Sequence, residues 1–135
     1  MLDDLTNLQA LLKDSTLLAT KGYIAGEWCD GENGQTFPVY NPARGDVITD
    51  VADISRTQTA EAISIAERAQ KLWAARPAKE RSNLLRNWYN LMMENREDLA
   101  TILTAEQGKP IEEAKGEIAY GASFIEFFAE LILKI

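Results

Sequence analysis

The sequence has 135 residues, of which 46% are apolar and 26% charged, and its formal net charge is −7. This balance is typical of a soluble globular domain that buries a hydrophobic core, and it excludes a disordered chain. The acidic excess repels phosphate backbones and anionic lipid surfaces, so neither nucleic acid nor a membrane is expected as a partner.

The side chains that most often carry chemistry are scarce. The sequence has no histidine, which removes the commonest general base near neutral pH and the commonest metal ligand, and it has one cysteine, Cys29. A single cysteine forms no internal disulfide, and the acidic N-terminus lacks the positive charge of a signal peptide. We therefore expect a cytoplasmic protein.

Residues 1–20 are expected to form an N-terminal arm that precedes a domain over residues 21–135. Within the arm, residues 3–18 predict either a short amphipathic helix or an ordered arm. Its apolar side carries four leucines: Leu5, Leu8, Leu11 and Leu12.

A small β-meander of three strands is predicted next. Residues 23–29 are rich in aromatic and β-branched types and predict one strand. The turn after it contains Asn33 and Gly34, both suited to positive φ. Residues 36–40 predict a return strand that Pro38 confines to an edge or a bulge, and residues 47–52 predict the third strand.

Four helices are predicted after Ser55, which has capping-box spacing to Gln58. Pro77 opens the second helix, and the third runs from about Glu97 to Gly108, a glycine at the expected C-terminal position. The fourth helix is expected to continue to the last residue. The predicted core is formed by Trp73, Leu85, Trp88, Leu103, Ile118 and Phe128.

The fourth helix carries apolar residues on two faces. One face has heptad spacing and the other lies beside it. Such a helix is expected to be covered on both faces, by a core or by another subunit, and Gly121 and Ala122 suggest that another backbone passes close. The heptad positions are Ile111, Ala114, Ile118, Gly121, Ile125, Phe128, Ile132 and Ile135, and the second face has Phe124, Phe127 and Leu131.

Candidate chemical groups all have a simpler structural interpretation. Cys29 has no histidine to activate it and lies near two acidic residues, so we interpret it as structural. Glu112, Glu113 and Glu117 lie in the first turns of the fourth helix, where negative charge is favourable. Lys109 follows the helix-ending glycine, where a cation satisfies the last carbonyl groups. The residues by themselves therefore indicate no active site.

The order and spacing of several segments nevertheless resemble the NAD(P)-dependent aldehyde dehydrogenases. The resemblance covers roughly residues 17–130, and the sequence over residues 87–94 and 116–126 is especially similar to the succinate-semialdehyde dehydrogenase branch. The other segments that carry it are residues 23–28, 39–45, 66–73, 81–85 and 103–117.

This resemblance implies oxidation of an aldehyde, such as succinate semialdehyde, to a carboxylic acid with NAD or NADP. It also implies that the catalytic cysteine, the catalytic glutamate and the cofactor loop lie beyond Ile135. We therefore assign no catalytic or cofactor-binding residue here, and we expect an inactive N-terminal fragment that does not hold the cofactor tightly. Its fold class is expected to be α+β as a fragment, part of the family's α/β fold and an incomplete cofactor-binding domain.

The resemblance further implies a monovalent cation site. Its ligands would be backbone oxygens of Val39 and Tyr40 and the side chain of Glu106. Two non-catalytic alternatives remain open. The chain could be a helical module that forms a homo-oligomer or associates through its last helix. It could also be a regulatory subunit that docks onto a full-length relative. An aldehyde substrate is expected only for a full-length relative.

Overall fold

The computed structural model describes residues 8–134. In the described part of the N-terminal arm, helix α1 (Leu8–Leu11) is followed by a 3-10 turn at Ser15–Leu17, so residues 8–17 do not form one continuous helix. The Asp14 carboxylate accepts hydrogen bonds from the amide and hydroxyl of Thr16, at 3.0 and 2.6 Å, and such local bonding competes with helix continuation. Leu5 lies outside the described residues.

Two separate antiparallel hairpins replace the predicted meander. Strands β1 (Gly22–Ile24) and β2 (Glu27–Cys29) pair with each other, as do β3 (Thr36–Tyr40) and β4 (Val47–Ala52). The prediction of one strand over residues 23–29 is wrong, because Ala25 and Gly26 adopt φ values of 57° and 88° and reverse the chain. Positive φ at two successive positions is typical of the tightest hairpin turns.

The second hairpin agrees with its predicted bounds. Pro38 pairs with Asp50 in a two-stranded sheet, where it is on an edge as expected, and the register shifts between Val39 and Tyr40. Asn33 and Gly34 have the positive φ that the sequence predicts.

The four longer helices are α2 (Arg56–Ala75), α3 (Ala78–Glu94), α4 (Arg96–Gln107) and α5 (Ile111–Leu131). The capping box of Ser55 and Gln58 forms as predicted, and the Gln58 side chain also bonds the backbone of Asp30 and Glu32. The prediction that the last helix continues to the final residue is wrong, because it ends at Leu131 and turns follow. None of the helices within residues 8–134 combines the length and apolar composition needed to cross a membrane.

The core lies where α5 packs on α3 and α4, and its most buried side chains are alanines. Two of the predicted core residues, Trp88 and Phe128, are more than half exposed, so that part of the prediction is wrong. The reason is that small residues occupy the buried faces, and helices that meet through alanine approach closely and leave larger side chains at the margin. The buried alanines are Ala100, Ala114, Ala122 and Ala129.

The α+β class is confirmed for the described residues: five helices accompany two small antiparallel sheets.

Candidate functional site

The junction between α4 and α5 is built around Gly108. Its φ is 82°, and its amide donates to the Thr104 carbonyl at 2.9 Å, which ends α4 as the sequence predicts. A Cβ added at Gly108 would lie 2.9 Å from Cγ of Pro42. The junction therefore packs directly on the turn after β3, and two segments that carry the family resemblance meet in space.

That turn is held by its own side chains. Oδ1 of Asn41 accepts the amides of Ala43 and Arg44, at 2.9 and 3.3 Å, which is the local bonding that favours asparagine in turns. The Arg44 guanidinium bonds Asp46 at 2.8 Å and thereby lowers the pKa of that carboxyl. The turn is thus fixed independently of the helices on which it packs.

A cavity of about 250 Å³ lies between the N-terminal arm, this turn and α4. Its lining is mostly apolar, and Oγ1 of Thr104 is buried in it without a hydrogen-bond partner among the described residues. Neither a carboxylate nor a thiol is among its lining residues. The lining residues include Leu8, Leu11, Asn41, Ile48, Thr104 and Ile111.

The residues of the expected cation site lie on the two segments that meet at the junction. Val39 and Tyr40 end β3 immediately before the turn that contacts Gly108, and Glu106 lies at the end of α4. Desolvation raises the pKa of Glu106, as is usual where a carboxylate loses water without gaining a charged partner. Among residues 8–134, no group of three or more His, Cys, Asp and Glu side chains could hold a metal ion. A site here would therefore depend on backbone oxygens, and it stays a prediction.

The start of α5 takes part in three ion pairs. Lys115 bonds Glu97 of α4 at 2.8 Å and Glu112 at 3.1 Å. Lys109 pairs with Glu117. The lysine was expected to satisfy the last carbonyl groups of α4, but its ammonium bonds α5 instead, because Glu117 offers a full negative charge. Of these three pairs, the one between Lys115 and Glu97 joins α5 to α4.

Cys29 lies in the first hairpin, where its Sγ donates to the Gly22 carbonyl at 3.4 Å. The thiol is half-buried, and it lies at the end of β2 rather than at the junction of α4 and α5. Its surroundings agree with the structural interpretation.

Sequence reasoning missed Asp98, a buried acid whose carboxylate accepts the backbone amides of Lys13 and Asp14. It also missed Arg86 of α3, which bonds Glu126 and Glu130 of α5 at 2.6 and 3.1 Å. The spacing of Glu126 and Glu130, one helical turn apart, is the only signal that could have indicated a shared cation.

Comparison with known proteins identifies the origin of this arrangement. Residues 28–135 match the aldehyde dehydrogenase family. The glutarate-semialdehyde dehydrogenase of Pseudomonas putida is 56% identical over 119 residues, and the succinate-semialdehyde dehydrogenase (NADP+) of Escherichia coli is 53% identical over 119 residues. Each alignment covers 88% of this chain and 25% of the relative.

A solved structure agrees in backbone path as well. The crystal structure of succinate-semialdehyde dehydrogenase from Burkholderia pseudomallei is 50% identical, has a TM-score of 0.85, and covers 88% of this chain and 25% of that chain. The chain thus spans about a quarter of the length of the curated relatives that it matches.

Proposed function

The chain belongs to the aldehyde dehydrogenase family, and on that premise we propose that the protein containing it oxidises succinate semialdehyde to succinate. Water supplies the added oxygen, and NAD+ or NADP+ accepts the hydride. One observation carries the proposal. Over 88% of its length the chain is about half identical to semialdehyde dehydrogenases and follows the backbone path of one with a TM-score of 0.85.

The substrate class follows from what the relatives share. The Pseudomonas putida relative is named for glutarate semialdehyde and the Escherichia coli relative for succinate semialdehyde. Both molecules carry an aldehyde at one end and a carboxylate at the other, and they differ by one methylene. A methylene is worth only about 1–3 kcal/mol in a binding pocket, so both are expected to be accepted.

Within that enzyme, this chain has a scaffolding role. The described residues supply a packed junction at Gly108, an ion pair between α4 and α5, and a half-buried cysteine hydrogen-bonded to a backbone carbonyl. The family chemistry of a thiolate attacking the aldehyde, followed by hydride transfer and hydrolysis, is assigned to the remaining length of the enzyme. The domain assignment stays the same proposal: residues 1–20 as an arm and residues 21–135 as part of a cofactor-binding domain.

We also propose that Val39, Tyr40 and Glu106 bind a monovalent cation at the junction. Support comes from the contact between Gly108 and the turn after Tyr40, which brings the two ligand-bearing segments together. A cation there would offset the desolvation of the Glu106 carboxylate. Its role would be to fix the turn against α4.

The cytoplasm is the proposed compartment. It is supported by the single cysteine, since a protein without internal disulfides is suited to a reducing environment. Cell fractionation with an antibody to the protein would test this, and recovery from an extracytoplasmic fraction would contradict it.

A second candidate function is a non-catalytic module that associates through α5. It is supported by aromatic side chains of α5 that remain about half exposed, which is unusual for a helix whose other side is packed. Light scattering separates this candidate, because a purposeful module should form a stable oligomer of defined size.

The main proposal is tested by hydride transfer in two proteins. One is the 135-residue chain alone, and the other is a chimera in which it replaces the matching quarter of the Escherichia coli relative. We expect the chimera to reduce NADP+ with succinate semialdehyde, and the chain alone to show no turnover. A folded but inactive chimera would contradict the proposed function. Turnover by the chain alone would contradict the scaffolding role.

A further inference from the structure

The cavity between the N-terminal arm, the turn after β3 and α4 is large enough to hold a small molecule. Its volume is about 250 Å³. An apolar cavity of about 150 Å³ in another protein stays dry and takes up benzene, so this cavity has room for a substituted ring. The match to the family begins at residue 28, whereas Leu8 and Leu11 form one wall. That wall therefore lies outside the matched part of the fold.

The wall formed by the arm is fixed in place. Leu8 and Leu11 are three positions apart in α1, and Leu8 is only 6% exposed. The Asp98 carboxylate of α4 accepts two backbone amides of the arm, which ties the arm to that helix. The cavity is thus already formed in the folded chain, as is usual for sites that bind small molecules.

Thr104 gives the cavity one unpaired polar group. Thr101 and Thr104 both lie on α4, and both line the cavity. The Thr101 hydroxyl donates to the Glu97 carbonyl at 2.9 Å, which is the usual bond of a threonine within a helix. Oγ1 of Thr104, in contrast, is buried without a hydrogen-bond partner among residues 8–134. Because a buried hydroxyl without a partner is costly, a ligand that bonds it gains affinity.

Other polar side chains of the lining are already bonded. Oδ1 of Asn41 accepts two amides of its own turn, and the Arg44 guanidinium pairs with Asp46. A water molecule in a cavity needs roughly two to four polar partners, which the Thr104 hydroxyl alone does not supply. Neither a carboxylate nor a thiol is among the described lining residues. The lining therefore suits an uncharged molecule that has an apolar body and one hydrogen-bonding group.

We propose that this cavity binds a small uncharged molecule, of the size of a substituted benzene ring, whose hydroxyl bonds Oγ1 of Thr104. The apolar body of the ligand packs against the aliphatic side chains of the lining, among them Leu8, Ile48 and Ile111. Binding requires only residues within the described range, whatever reaction the whole protein catalyses.

Phenol and benzene are the probes, because they share a ring and differ by one hydroxyl. NMR titration of the 135-residue chain measures both affinities from the backbone amides around the cavity, and we expect both molecules to bind saturably. Thr104→Val keeps the shape of the side chain and removes its hydroxyl. It should weaken phenol binding by about threefold to tenfold and leave benzene binding unchanged. The matched control is Thr57→Val at an exposed position of α2, which should change neither affinity.

A loss of phenol affinity that is confined to Thr104→Val supports the proposal. Absence of saturable binding to the wild-type chain overturns it, and so does an unchanged phenol affinity in Thr104→Val or an equal loss in Thr57→Val.

The same titration of the chimera with the Escherichia coli relative checks what occupies the cavity in a whole enzyme. Phenol should bind the folded chimera as it binds the chain. Binding to the chain but not to the chimera would show that the remaining polypeptide fills the cavity, which also overturns the proposal. Turnover by the chimera is measured separately, so a failure of the proposed function is distinguishable from a failure of this binding.

Discussion

Asp98 of α4 accepts a 2.8 Å hydrogen bond from the backbone amide of Asp14, although the two residues are 84 positions apart. Its other carboxylate oxygen accepts the Lys13 amide at 3.1 Å. Asp98 is only 6% exposed, so these bonds replace the water that the carboxylate loses. One acidic side chain thus fastens the N-terminal arm to the helical part of the molecule.

The first prediction concerns this fastening. Asp98→Ala removes both acceptors and should lower the free energy of unfolding by about 1–3 kcal/mol, because two part-buried backbone amides lose their charged hydrogen-bond partner. Urea denaturation measures the change, and hydrogen exchange at the Lys13 and Asp14 amides should accelerate. The control Asp50→Ala removes an exposed carboxylate and should change stability by less than about 0.5 kcal/mol. Similar losses of unfolding free energy in both variants would show that the hydrogen bonds from Asp98 to the arm do not stabilise the protein.

The second prediction concerns the junction of α4 and α5. Gly108→Ala forces a side chain into the left-handed region, which costs about 1–2 kcal/mol, and also against the Pro42 ring. The control is Gly116→Ala within α5, where an added Cβ would meet nothing within 4 Å. Alanine there should raise the free energy of unfolding by about 0.5–1 kcal/mol, because it favours the helix more than glycine does. Thermal or urea unfolding of the two variants should therefore shift in opposite directions. A shift of the same sign in both would contradict the described geometry.

The third prediction concerns pH. The hydrogen bond from Lys115 lowers the pKa of Glu97 below its ordinary value of 4.5. A lowered carboxylate pKa means stability that is present above 4.5 and lost as the pH falls through the folded-state value. Glu97→Gln should therefore lower the melting temperature slightly near neutral pH and have no effect in strong acid.

The size of this effect should also fall with added salt, since the pair is partly exposed. Glu61→Gln, at an exposed position of α2, serves as the control for the substitution itself. A difference between wild type and Glu97→Gln that persists at the lowest pH would indicate a steric rather than an electrostatic cause.

The fourth prediction concerns the proposed cation. Desolvation raises the pKa of Glu106, which means that the charged form is disfavoured in the folded chain. Without a cation, Glu106→Gln should therefore stabilise the protein near neutral pH. In potassium chloride, compared with choline chloride at equal ionic strength, the wild type should gain melting temperature and the variant should not. An equal gain in both proteins would exclude Glu106 as a ligand.

Much of the helical structure could be predicted because its signals are local. Ser55 and Gln58 are three positions apart and cap α2 by bonding each other's backbone. Gly108 ends α4 through its own positive φ. The strands at residues 36–40 and 47–52 could be predicted as well, since turn residues lie next to them in the sequence. These features involve neighbours along the chain and need no knowledge of the fold.

The first hairpin shows why local signals also fail. Ala25 adopts a φ of 57°, which a side chain normally disfavours, so the sequence gives little warning of the reversal. The candidate site, too, could be predicted only in part. Its two segments were recognisable separately, but their contact through Pro42 and Gly108 depends on how the second hairpin packs on α4.

The sequence by itself determined the family, the α+β class and the ends of most helices, because these depend on residue types at short spacings. Only the tertiary structure decided which side of α5 is buried. The sequence shows two adjacent apolar faces and does not say which one is buried, and the choice follows from close packing of alanines against α3 and α4, which leaves Phe124 and Phe128 outside. Likewise, the partner of Asp98 could not be read from the chain, because hydrogen bonds between distant residues exist only once the fold brings them together.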